Sequence, residues 1–194
     1  MRIVGILLAA GRGARFGGDK LLAPLGNPGP NFPAGAAMGA VACRRLRAAV
    51  GEVVAVVRPG DATLAASLHE AGARVVVCDG ADEGMGASLA WGVAASSDAD
   101  AWLVALADMP WIADATLRSL LSALRAGAFI AAPFLGGRRG HPVGFGAECG
   151  PALMALSGDE GARSVIAAGS GRMVRVAVDD PGILRDVDTP ADLA

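Results

Sequence analysis

Short apolar runs alternate along this chain with alanine-rich stretches, and the runs carry no polar face. Ile3–Ala9, Glu52–Arg58, Ala73–Cys78, Ala101–Ala107 and Ala128–Pro133 read as strands. Between and after them, Ala34–Val50, Ala62–Gly72, Gly86–Ser96, Ala113–Ala126, Cys149–Leu156 and Ala162–Ala168 read as helices. A strand that is apolar on both sides, such as Val53–Val57 or Val75–Val77, must be covered on both sides, which is the condition of a parallel sheet. Strand–helix–strand units with right-handed crossovers then imply an α/β chain of three layers. With 194 residues, 53% of them apolar and 19% charged, there is enough apolar material for the core of one domain spanning 1–194.

The same numbers narrow the partners. A net charge of −2 and a pI near 5.6 leave no broad basic surface for nucleic acid. Mean hydropathy is +0.47, yet no apolar run approaches the roughly 18–20 residues of a membrane helix. The first apolar run is short for a signal peptide and passes straight into an arginine-rich loop, so it reads as a core strand and the expected location is cytoplasmic. Cys43, Cys78 and Cys149 are odd in number and widely spaced, which predicts buried free thiols rather than a disulfide framework or a zinc site. With His69 and His141 the only histidines, a magnesium site built from carboxylates is the metal chemistry left open.

Three segments break the rhythm. APLGNPGPNFPAG (23–35) reads as a loop, FLGGRRGHPVGFGAE (134–148) as a glycine-punctuated hairpin or excursion, and the end as a late strand, a turn at Pro181-Gly182 and a closing helix near Thr189-Pro190.

Five constellations bear chemistry. After the first strand come Gly11, Gly13, Gly17 and Gly18, with Arg12, Arg15 and Lys20 threaded between them. The spacing is not that of a dinucleotide fingerprint, and the second strand ends in Arg58-Pro59 rather than in an acidic residue. It is not a G-x-x-x-x-G-K-[ST] loop either, since Leu21 follows Lys20. A longer cradle fits, with backbone amides near Ala10–Gly13 facing phosphates that Arg15 and Lys20 neutralise; an ordinary strand-to-helix loop explains the same glycines. Asp108 ends the strand in WLVALADMP, at the sheet edge where ligands bind in open α/β folds, and would suit a magnesium ion or merely close the strand. In RDVDTPADL, Asp186 and Asp188 share a face if extended, and Asp188 or Thr189 also suits a helix start before Pro190. Ser88 sits in the first turn of a helix entered through EGMG, as a ligand for ribose or base or as a plain cap. Arg138, Arg139 and His141 lie on a glycine-flanked loop able to grip a second anion or to face solvent.

In this order, LLAAGRGARFGGDKLL, EGMGASLAWGV, ALADMPWI, GRRGHPVGF, GDEGAR (158–163) and DVDTPADL resemble the MobA-like nucleotidyltransferases, and most closely the molybdenum cofactor cytidylyltransferases. The resemblance spans essentially the whole chain. It implies a three-layer αβα Rossmann-like nucleotidyltransferase fold with a mostly parallel, mixed central sheet. It further implies a magnesium-dependent reaction in which the terminal phosphate of molybdopterin attacks the α-phosphate of CTP. The products are the cytosine dinucleotide cofactor and pyrophosphate, with a molybdoenzyme as a candidate recipient. L-A-A-G rather than L-A-G-G, together with R-G-H-P-V and G-D-x-G-A-R, is similar to the CTP-using branch. By that similarity Ala9, Ala10, Gly11, Arg12, Gly13, Arg15, Lys20, Ser88 and Asp108 hold the nucleotide, with Arg15, Lys20 and Asp108 catalytic. Asp108 and Asp188 ligate Mg2+, while Arg139, His141 and Asp159 face the molybdopterin side. GTP, a sugar- or alditol-phosphate acceptor, and a non-catalytic carrier that delivers molybdopterin are the alternatives. Two segments depart from the family pattern: GNPGPNFPAG replaces its apolar G-x-P-L-L stretch, and Cys78-Asp79-Gly80-Ala81 replaces its Asn-Pro turn.

Overall fold

A computed structural model describes residues 1–13, 16–29 and 31–193. The expected strands appear, four with trimmed ends and the fifth shifted two residues toward the C-terminus: β1 (Ile3–Leu8), β2 (Val53–Val57), β3 (Arg74–Val77), β4 (Ala101–Leu106) and β5 (Ile130–Leu135). The 134–148 excursion supplies β6 (Arg138–Arg139) and β7 (Val143–Gly146), and the late strand is β8 (Met173–Ala177). The order across the sheet is β3-β2-β1-β4-β7-β5, with β6 and β8 also on β5. β1 pairs parallel with both β2 and β4, and β5 with β8, whereas β7 lies antiparallel between β4 and β5. The sheet is therefore mixed and mostly parallel, as expected.

Helices cover both faces, and side-chain alternation along the strands divides the core between them. Ile3 and Leu7 of β1 pack in one cluster with residues of α1 (Met38–Val50), α2 (Ala62–Glu70) and α4 (Asp114–Arg125). Val4 and Ile6 pack in another with residues of α3 (Met85–Ala94), α5 (Gly150–Met154) and α6 (Arg163–Ala168). α4 shows how the sequence dictates this: Leu117, Leu120, Leu121 and Leu124 recur at helical spacing and are all buried. Each contributes about 1.5–3 kcal/mol by leaving water. Two glycines let helices approach closely, because a Cβ on Gly5 would stand 2.8 Å from Leu46 and one on Gly92 2.7 Å from Ile6.

Beyond shifts of one or two residues at the ends, three helical segments differ from the sequence reading. α1 starts at Met38 rather than Ala34, because the preceding residues turn back on the loop: Leu25 N–H donates to Ala36 O and Met38 N–H to Ala23 O. Cys149–Leu156 divides into a 3-10 turn (Ala147–Cys149) and α5. The closing helix is a single 3-10 turn, Pro190–Leu193. All three cysteines are free and buried. Among the described residues no helix is long and apolar enough to cross a membrane.

Candidate active site

The chain leaves β1 toward β2 on one side and β4 on the other, so the carboxyl ends of these strands open a crevice at the point where strand order reverses. A cleft of about 750 Å3 lies there. Its floor continues the β ladder past the strand ends, with Ala9 N–H donating to Val56 O and Ala107 N–H to Leu8 O. Ala9 and Ala10 are buried, so little but backbone is offered at this edge.

The glycine loop then folds back. Gly13 adopts φ +56°, a conformation that costs glycine little, and Phe16 N–H donates to Gly13 O. A 3-10 turn over Lys20–Leu22 follows and directs the Lys20 ammonium inward. Lys20 Nζ lies 2.8 Å from Asp108 Oδ2 and 3.8 Å from Asp188 Oδ1. The Lys20 side chain is 12% exposed and that of Asp108 23%, so this pair is shielded from water on most sides and screened weakly by salt.

Asp108 stands just past β4, and its second carboxylate oxygen, Oδ1, is buried with no hydrogen-bond partner among the described residues. Its main chain carries the register of the C-terminal segment, since Val187 N–H donates to Asp108 O at 3.1 Å. Val187 is fully buried, which places Asp188 beside Lys20. Asp192 holds that turn from below: its Oδ2 accepts from Asp188 N–H, Thr189 N–H and Thr189 Oγ1 at 3.1, 2.7 and 2.8 Å. Those donors keep the Asp192 carboxyl below its ordinary range. Arg185 stacks 3.7 Å from the Trp111 ring centroid and donates to Asp192 O, tying the strap to the segment after Asp108.

The donor set fits a divalent cation of the magnesium type. Among the described residues there is no group of three or more His, Cys, Asp or Glu able to cage a metal. Magnesium, however, is commonly held by one or two carboxylates completed by water and substrate phosphates. Asp108, whose Oδ1 has no partner among the described residues, and the neighbouring Asp188 are the two carboxylates that could hold such an ion.

The expected residues divide between two regions. Ala9, Ala10, Gly11, Arg12, Gly13, Lys20, Ser88 and Asp108 all line the cleft, and so does Asp159. Asp159 was expected beside Arg139 and His141; instead the 157–161 loop docks on the entry to α3, where Gly86 N–H donates to Gly158 O at 2.7 Å. Ser88 is buried in the first turn of α3 with its hydroxyl toward Gly84 O. Arg12 extends to an ion pair with Asp82. Arg139 is exposed on β6, outside the cleft lining. His141 follows on the β6–β7 connection, with its backbone N–H on Ile183 O and a buried Nδ1 that has no partner among the described residues. Burial, then the Arg139 guanidinium, presses its pKa down against the pull of Asp108 and Asp186. Arg15 lies outside the described residues.

The sequence reading passed over Arg58, Asp82 and Asp192. Arg58 stands at the carboxyl end of β2, the edge that binds ligands, and that position was the available signal. Thr189-x-x-Asp192 has capping-box spacing, which would have identified Asp192 as the brace.

Comparison with known proteins agrees with this architecture. The chain is 33% identical to the purine catabolism protein PucB of Bacillus subtilis, over 98% of this chain and 93% of that one. It is 32% identical to nicotine blue oxidoreductase of Paenarthrobacter nicotinovorans, over 96% and 92% of the respective chains. The crystal structure of Rv0371c from Mycobacterium tuberculosis in complex with manganese superposes with a TM-score of 0.77 at 25% identity, covering 99% of this chain and 96% of that one. Residues 5–175 match the model of the MobA-like NTP transferase domain, and the chain belongs to that family.

Proposed function

We propose that this protein is a magnesium-dependent cytidylyltransferase that moves CMP from CTP to the terminal phosphate of molybdopterin. The observation that carries the reading is the Lys20–Asp108–Asp188 cluster at the end of the glycine-loop cleft, with Asp108 Oδ1 left for a cation. In the reaction a phosphate oxygen of molybdopterin forms a bond to the α-phosphorus of CTP. The bond from that phosphorus to the bridging oxygen breaks, and pyrophosphate leaves with the electron pair.

An anionic phosphate nucleophile needs no activated serine or cysteine and no strong base. The residues present suit the remaining work, which is alignment and charge neutralisation. Backbone amides near Ala10–Gly13 and the Lys20 ammonium hold the phosphates, joined by Arg15 on the strength of the family resemblance. Ala9, Ala10 and Ser88 hold base and ribose, with Ala10 of L-A-A-G favouring cytosine. Arg139 and His141, beyond Asp108, receive the acceptor; Asp159 belongs to the nucleotide wall. Magnesium held by Asp108 and Asp188 would neutralise charge on the α-phosphate and the leaving pyrophosphate. The manganese bound by the mycobacterial relative favours a divalent ion.

Incubation with CTP, molybdopterin and Mg2+ should release pyrophosphate, with GTP a poorer donor. Absence of release with active cofactor would reject the reading, and preference for GTP would reject the role given to Ala10. The name of the nicotine blue oxidoreductase favours a second, redox reading. Here Arg58 follows β2 where a nicotinamide site would want an acid, so binding of NADH or NADPH to the protein would revive it.

A further inference from the structure

We propose that Arg12 and Arg58 form a second phosphate subsite at the mouth of the cleft, and that Asp82 holds its place until a triphosphate arrives. The proposal rests on reading the cleft as a nucleoside triphosphate site.

Three separate segments meet at this point. Arg12 comes from the glycine loop, Arg58 from the end of β2, and Asp82 from the 3-10 turn Ala81–Glu83 that precedes α3. All three line the same cleft as Lys20 and Asp108. Arg12 and Arg58 converge on one oxygen: Asp82 Oδ1 lies 2.8 Å from Arg12 and 2.7 Å from Arg58. Two guanidiniums on a single carboxylate oxygen leave the group with one excess positive charge. A phosphate would satisfy the pair better, because its several oxygens accept guanidinium hydrogen bonds in parallel.

Exposure decides whether Asp82 is a permanent partner or a displaceable one. Its side chain is 68% exposed and that of Arg12 65%, whereas Arg58 is only 20% exposed. Ion pairs with such open members are weak, and their charges are cheaply returned to water. Arg58 is the anchored member, and Arg12 and Asp82 are the ones free to part. The Arg12 and Arg58 guanidiniums hold Asp82 below its ordinary pKa, which favours its carboxylate form, and as an anion it competes with an incoming one.

Calorimetric titration of the full chain with inorganic tripolyphosphate, without magnesium and at fixed ionic strength, tests the subsite with no acceptor and no turnover. Asp82→Asn should tighten tripolyphosphate binding about two- to fivefold, the range of an exposed ion pair removed as competitor. Arg58→Gln should weaken it about tenfold, as loss of a charge-assisted contact does. In the double variant the gain from Asp82→Asn should shrink, since Asp82 acts through the arginine it occupies. Melting temperatures near wild type would show that the variants are folded. Unchanged affinity in both single variants would overturn the proposal, reducing the trio to a surface tie. Weaker binding in Asp82→Asn would also overturn it, by making Asp82 a support for the arginines. Tightening seen with pyrophosphate but not tripolyphosphate would refute the assignment to the incoming triphosphate. A tripolyphosphate pattern as expected without pyrophosphate release from CTP would count against the proposed function and leave the subsite standing. Turnover of CTP with flat variants would do the reverse.

Discussion

The two halves of the sheet build their contributions to the site differently. On the β1–β3 side, the cleft is made from local pieces: two buried alanines, a glycine turn at Gly13, and Lys20 one 3-10 turn later. On the β4–β8 side, every group depends on a distant one. Asp188 is placed by Val187 on the Asp108 carbonyl and by Asp192 beneath the turn; His141 hangs from Ile183. A local cradle tolerates change in the rest of the fold, while a long-range brace transmits it.

That contrast can be tested from its largest consequence downward. Asp108→Asn joins both halves, since it touches Lys20 and the C-terminal strap; pyrophosphate release should fall at least 10²–10³-fold with circular dichroism unchanged, and near-normal turnover would dissolve the site. Lys20→Gln removes the ammonium that the local half presents to Asp108 and should cost about 10²-fold in kcat, with melting temperature near wild type. On the braced half, Asp192→Ala leaves every expected ligand in place. The Mg2+ or Mn2+ concentration for half-maximal binding in the presence of CTP should rise about tenfold, and Asp192→Asn should restore part of it. An unchanged metal midpoint in Asp192→Ala would show that Asp188 needs no brace.

Two smaller effects concern stability. A Cβ on Gly140 would collide with the Ile183 carbonyl and side chain, so Gly140→Ala should destabilise by about 1–3 kcal/mol, visible as a lower urea midpoint. The last prediction concerns pH. Because burial depresses the His141 pKa from 6.5, the unfolded chain binds this proton more readily than the folded one. The contribution is therefore complete above pH 6.5 and is lost as pH falls from there toward the depressed folded value. Melting temperature should drop over that window less steeply in His141→Asn than in wild type; equal slopes would remove His141 as the cause.

Legibility followed the same division. Every strand expected from an apolar run was found, and β2 is buried along its whole length as expected. β3, expected to be covered on both sides, is instead the edge strand, partly buried with Val77 exposed, because the sheet ends there and too little helix lies over it. The Gly-rich loop, Lys20 and Asp108 could be picked out one by one, since strand ends and glycines mark the ligand edge wherever they occur. The 134–148 segment was legible as a hairpin or excursion, and β5 and β6 do pair antiparallel; its pattern did not show that β7 would insert between β4 and β5. Asp159 lines the cleft while Arg139 does not, since a motif's place along the chain does not say which wall its loop docks on; the 157–159 loop packs on Gly84 and Gly86 at the entry to α3. Arg58 and Asp192 carried local signals, a strand end and a capping-box spacing, whereas Asp82 is a lone charge with no local pattern.

By itself, then, the sequence determined the layers, the parallel core and the residues able to meet a phosphate or a cation, because burial and backbone freedom are local demands. Only the tertiary structure decided which of them meet. Lys20 on Asp108, Val187 on the Asp108 carbonyl, and Arg12 with Arg58 on Asp82 join segments far apart in the chain. Such pairs depend on strand order and loop docking, which nothing in their immediate sequence encodes.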